Sequence, residues 1–180
     1  MASIGARLSR ALRPALWAGV TAVALAGGAS SAASQPVSEL QVKAAFLFNF
    51  TKFVTWPVVS RPMAICVAGN APLAAAATAA VRGKLVAGRT VEVRDFALAG
   101  TADGCDLLYL ADLPPDGAAA VLRRTRGPVL TVGETARFLR DGGMVRVYLE
   151  DNRMRFQVNR RQTDAAGLKI SSQLLSLASQ

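Results

Sequence analysis

The apolar positions of this chain change period along its length, and each change marks a different kind of element. Between residues 40 and 54 they recur at helical spacing, through Leu40, Ala44, Leu47, Phe50 and Val54, while Phe46, Phe48 and Phe53 widen the face. A face that broad predicts a helix packed on two sides. Ser38 and Gln41 form a capping box at its start, with Val37 and Val42 at the positions of a hydrophobic staple. Pro57 is expected to stop the helix by disfavouring helical geometry at Trp56. Short unbroken apolar runs at 63–68, 105–110 and 128–132 predict strands buried on both faces. Residues 72–82 are Ala-rich and read as a helix stopped by Gly83, and 90–96 alternate as a strand. Pro114 and Pro115 open a further helix that carries Arg123, Arg124 and Arg126 near its end, where cations suit the helix dipole. Residues 134–140 read as a short helix closed by Gly142.

The last third switches to strict alternation. Val145, Val147 and Leu149 alternate with Arg146 and Tyr148, a turn at 150–153 follows, and Met154, Phe156 and Val158 alternate with Arg155 and Gln157. That is an antiparallel hairpin with one apolar face. A terminal helix with Leu168, Leu174, Leu175 and Leu177 completes the chain. Strands alternating with helices predict an α/β fold. The expected architecture is a compact single-domain sandwich: a mixed, mainly parallel sheet, helices on both faces, and a C-terminal β-hairpin plus helix.

The first 33 residues follow a different grammar. Arg7, Arg10 and Arg13 precede an apolar run at 15–26, and small residues follow through Ala33. This reads as a cleavable signal peptide over residues 1–33, with a single α/β domain over 34–180. The run is too short to span a bilayer, which needs about 20 apolar residues. Gly28 stands where a lipoprotein signal needs its cysteine, and no arginine pair marks the twin-arginine route. A buried N-terminal helix is the competing reading, opposed by the glycines and the Ser/Ala tract that end the run. The expected location is the periplasm.

Charge then gains a context. The chain has a net charge of +9, and the leader holds three arginines and no acid, which leaves 18 basic residues against 12 acidic ones. For an exported protein this excess points away from nucleic acid and towards an acidic partner or an anionic membrane surface, or simply a solvated basic face. Histidine is absent, which excludes Ser-His-Asp and Cys-His catalysis and histidine metal sites. No metal site, cofactor or catalytic set is expected. Ser171 and Ser172 lack both a nucleophile elbow and a histidine base, so a hydrolase is disfavoured.

Cys66 and Cys105 are the only cysteines. In an oxidising compartment such a pair reads as a disulfide, and two unpaired buried thiols are the alternative. Candidate partner-binding residues are Asn49 and Lys52 on one helix face, Trp56, and Arg146 and Arg155 on the polar face of the hairpin. Core packing for Trp56 and solvation for the others explain them as well. Asn159 is placed to cap the following helix.

Three stretches together resemble one family: Val42 to Pro57, the pair Cys66 and Cys105, and the run from Gly142-Gly143-Met144 through Asn159 to Gly167-Leu168-Lys169-Ile170-Ser171-Ser172-Gln173-Leu174-Leu175. They are similar to the YfiR family of periplasmic proteins, over nearly all of the chain beyond the leader. The resemblance implies an α/β sandwich that forms a homodimer. It implies a non-enzymatic regulator that represses an inner-membrane diguanylate cyclase by binding its periplasmic sensor domain, lowering cyclic di-GMP and biofilm formation. It also implies sequestration by a peptidoglycan-binding outer-membrane lipoprotein. Cys66 and Cys105 match the family's stabilising disulfide. A second cysteine pair known in the family has no counterpart here, which removes redox sensing through it. The alternative expectation is a periplasmic small-molecule-binding protein that feeds a sensor kinase or transporter.

Overall fold

A computed structural model describes residues 38–57, 61–111 and 113–179. The leader and Val37 of the staple lie outside the described residues. The chain begins with helix α1 (Glu39–Phe53), and both halves of the capping box form: Gln41 N–H donates to Ser38 Oγ at 3.2 Å and Ser38 N–H to Gln41 Oε1 at 2.9 Å. Strands β1 (Val54–Thr55) and β2 (Met63–Ala68) follow, then α2 (Ala71–Val81), β3 (Leu85–Val86), β4 (Arg89–Asp95), β5 (Leu107–Leu110), α3 (Pro115–Arg124) and β6 (Leu130–Gly133). The hairpin is β7 (Val145–Glu150) and β8 (Arg153–Val158), and the chain closes with α4 (Arg160–Ala165), β9 (Lys169–Ile170) and α5 (Ser172–Leu177).

Seven strands form one sheet in the order β3-β4-β2-β5-β6-β7-β8. The five inner strands are parallel, and the edges β3 and β8 are antiparallel to their neighbours. The apolar runs that look uniform in sequence alternate between two cores. Ile65, Val67, Leu107, Tyr109 and Val132 face α1, α2 and Leu174 of α5; Cys66, Ala68, Leu108 and Leu110 face α3. Helices therefore cover both faces, as expected. The Cys66–Cys105 disulfide lies in the α3-side core, with Cα atoms 5.9 Å apart. The hairpin register pairs Val147 with Phe156 and Leu149 with Met154, and Phe156 packs edge-on against Phe46 and Phe50 of α1. Asp151 and Asn152 both take positive φ in its two-residue turn, as a twist-matched hairpin requires.

Three expectations need correction. Pro57 does not end the first helix. The helix stops at Phe53 because Val54 and Thr55 leave it to pair with Ile170 and Lys169, and Ser171 N–H donates to Phe53 O at 2.9 Å. The terminal helix is two short helices separated by Gly167 (φ +75°) and by β9, so Leu168 packs from a loop and Leu177 stays exposed. Residues 134–140 form turns rather than a helix. There Phe138 folds back between Gly133 and Gly143, so closely that a Cβ on Gly143 would sit 2.2 Å from its ring. Gly143→Ala is therefore expected to lose about 1–3 kcal/mol through overpacking, read by urea unfolding.

Candidate functional site

Strands of a doubly wound parallel sheet commonly open a ligand crevice at their carboxyl ends, beside the point where strand order reverses. Here that point lies between β2 and β5, and the backbone fills it. Gly69 approaches so closely that a Cβ would stand 2.5 Å from Ala111 O. The recessed polar chemistry sits at the opposite end, where the parallel strands begin.

Its centre is Asp106, immediately before β5 and 2 % exposed. A carboxylate so buried needs strong partners, because an uncompensated charge there costs several kcal/mol. Arg61 grips it with both terminal nitrogens, Nη1 to Oδ2 at 2.8 Å and Nη2 to Oδ1 at 3.2 Å. Arg89, opening β4, donates from Nη2 to Oδ2 at 2.8 Å, and the Ala64 N–H donates to the same oxygen at 2.9 Å. Arg89 Nε also donates to Arg61 O at 2.7 Å, locking one arginine's backbone to the other's side chain. Trp56 completes the cluster. Released from the β1–β9 ladder, it donates its indole N–H to Asp106 O at 3.0 Å. Two clefts flank Trp56. One, of about 340 Å³, is walled by Arg61, Cys105, Asp106 and Arg126; the other, of about 350 Å³, by Lys52, Met63, Val86 and Arg89. They sit at the small end of the range for ligand pockets. A fixed aromatic edge with arginines on each side suits a carboxylate, a phosphate or an acidic surface.

At the other end, Lys43 of α1 bonds Glu134 Oε2 at 3.0 Å and pairs with Glu39 at 2.8 Å, while the buried Tyr109 hydroxyl donates to Glu134 Oε1. Burial disfavours the Lys43 ammonium, but its hydrogen bonds to Glu134 and Glu39 and their charges outweigh that, and its pKa rises above the ordinary lysine value. A pKa raised by folding stabilises the native state fully below the unfolded value, and the gain is lost as pH climbs through the folded one. The stability advantage of the protein over Lys43→Met is thus expected to stay flat from neutral pH up to 10.5 and to shrink above it, measured as the difference between two denaturation series.

The candidate residues read from the sequence are not gathered into one surface. Asn49 and Lys52 are exposed on α1, with Lys52 Nζ 5.4 Å from the Phe48 ring centroid. Lys52 and Trp56 share a cleft. Arg146 and Arg155 project from the face of the hairpin opposite to α1. There Arg146 stacks 4.4 Å from the Tyr148 ring and bonds Gln157 Oε1 at 3.3 Å, and Arg155 pairs with Glu150 at 3.6 Å. Asn159 caps α4 through the Gln162 N–H, and Ser171 caps α5 through the Leu174 N–H. Sequence reasoning missed Arg61, Arg89 and Asp106. The signal was present: an aspartate heading an unbroken apolar strand has to find a cation.

Among the described residues no cluster of His, Cys, Asp and Glu could hold a metal ion, and no helix is long and apolar enough to cross a membrane. No curated protein matches the chain. The YfiR/HmsC-like family profile matches residues 40–179, from the first turn of α1 through α5 and so over the whole sheet, the disulfide and the Asp106 cluster. The chain belongs to the YfiR/HmsC-like family.

Proposed function

We propose that this protein is a non-enzymatic periplasmic repressor that binds the periplasmic sensor domain of an inner-membrane diguanylate cyclase. The family match over residues 40–179 carries this reading, since the family is a regulatory one associated with such cyclases. The Cys66–Cys105 disulfide supports it, because such bridges persist in oxidising compartments. Export through the leader at 1–33, a homodimer and capture by a peptidoglycan-binding lipoprotein belong to the same proposal.

Repression follows from a population shift. A regulator holds an enzyme off only by as much as it binds the inactive state more tightly than the active one. Among surfaces not buried by helices, the outer face of β7–β8 offers a fixed contact: Arg146 is held over Tyr148 and by Gln157, which leaves Arg155 beside it exposed. Calorimetric titration with the periplasmic domain of a membrane diguanylate cyclase from the same cell tests the proposal. Saturable binding, weakened by Arg155→Glu, is the expected result; no heat and no co-elution at micromolar concentration would argue for a different partner.

The clefts beside Trp56 favour one second reading, a small-molecule binder feeding a sensor kinase or transporter. That reading alone requires amino acids or other small anions to raise the unfolding temperature without a protein partner.

A further inference from the structure

The parallel topology collects positive charge at one end of the molecule. β2, β4, β5, β6 and β7 all start there. Helices that lead into them finish there too, and helix C-termini favour cations. The exit of α2 supplies Arg82 and Lys84, that of α3 supplies Arg123 and Arg126, and α1 ends with Lys52. β8 returns to the same end and delivers Arg160 and Arg161, while Lys169 of β9 lies beside Thr55. All eight residues are exposed, and none forms an ion pair among the described residues. Among the described residues, the carboxylates at or near this end are Asp103, Asp106, Asp141, Asp164 and Glu92, of which Asp106 is already held by Arg61 and Arg89, Asp141 by Arg137 and Glu92 by Arg94. Glu39, Asp95, Asp116, Glu134, Glu150 and Asp151 lie towards the other end. Cations without an ion-pair partner thus gather at this end, whereas Lys43, Arg94 and Arg155 elsewhere pair with Glu134, Glu92 and Glu150.

We propose that this basic end docks on an anionic phospholipid bilayer. Its cations come from the ends of several separate elements and spread around the end, whereas the clefts beside Trp56 contain only a few of them. A diffuse field of that kind complements a charged plane better than it complements one acidic side chain. Each lysine or arginine within about 10 Å of such a leaflet adds to the attraction. Half-buried Trp56, fixed by its bond to Asp106, stands among them beside exposed Pro57, and tryptophan favours the boundary between headgroups and acyl chains. Docked this way, the strands stand along the membrane normal and the outer face of β7–β8 points sideways, towards a membrane-anchored neighbour. That last consequence rests on the repressor reading; lipid binding itself does not, and it is measured with no cyclase present.

Co-sedimentation of the purified protein with vesicles tests the proposal. Binding is expected to phosphatidylglycerol in phosphatidylcholine, not to phosphatidylcholine alone, and to disappear at high salt. Arg82→Glu with Lys84→Glu, and separately Arg160→Glu with Arg161→Glu, should each lower partitioning at least about tenfold. Arg153→Glu with Arg155→Glu, at the far end of the hairpin, should leave it unchanged. Thermal melts of all three variants establish that they are folded. Equal losses from the far-end pair, no binding to the anionic vesicles, or capture by polyglutamate without vesicle binding would each overturn the assignment, the last by giving this end to an acidic protein.

Discussion

Cys66→Ala combined with Cys105→Ala is expected to lower the unfolding free energy by about 4 kcal/mol, since the bridge spans 39 residues and loop-closure entropy grows with the logarithm of that span. For a domain of this size the loss corresponds to a fall of roughly 10–15 °C in Tm. The bridge joins β2 to the head of β5, at the middle of the sheet, so its removal frees the unfolded chain at the point where long-range pairing matters most. Both sulfurs are packed in the α3-side core, and two alanines there leave only a small cavity. Reduction of the wild-type protein should give the same loss, because the entropic effect does not depend on which atoms replace the bond. Unfolding curves within 1 kcal/mol of each other for bridged and bridgeless protein would mean that the unfolded state is already compact around these strands.

Asp106→Ala is expected to cost about 3–5 kcal/mol, the range for removing one partner of a buried ion pair. It leaves the Ala64 N–H without its acceptor and the Arg89 charge without its carboxylate partner. Arg61 is 37 % exposed and can turn to water, which places the outcome at the lower end of that range, whereas Arg89 at 13 % cannot escape so easily. Asp106→Asn keeps an acceptor oxygen and should lose less. A double-mutant cycle of Asp106→Asn with Arg89→Met isolates the pair, with a coupling of about 0.5–3 kcal/mol expected for residues in direct contact. A coupling near zero would show that Arg89 is held by its bonds to the backbone oxygens of Arg61 and Pro62 alone.

These two sites differ in how far the sequence discloses them. The cysteine pair is visible because only two cysteines exist and each lies in a strand-like run. The hairpin is visible because period-2 alternation and a turn at Asp151-Asn152 agree. The capping box identifies the start of α1 because its contacts span only three residues. What stays hidden depends on long-range partners. β1 and β9 are two residues each, and neither reads as a strand until residue 54 meets residue 170. The stretch at 134–140 has helix-forming residues, but Phe138 is drawn into the space left by two glycines, and tertiary packing overrides local preference. Arg61 and Asp106 are 45 residues apart, and no local pattern couples a loop arginine to a strand-leading aspartate. Polarity marks Asn49, Lys52, Arg146 and Arg155 one at a time but not their shared surface, and the sheet places Arg146 and Arg155 on the side away from α1.

Cellular cyclic di-GMP, compared between cells with and without the gene, tests the repressor account most directly. Loss of the protein should raise the nucleotide and surface attachment, the exported form should restore both, and a form lacking residues 1–33 should not, because it never meets the sensor domain. Cyclic di-GMP unchanged by deletion, in cells that express a membrane diguanylate cyclase with a periplasmic domain, would contradict the account.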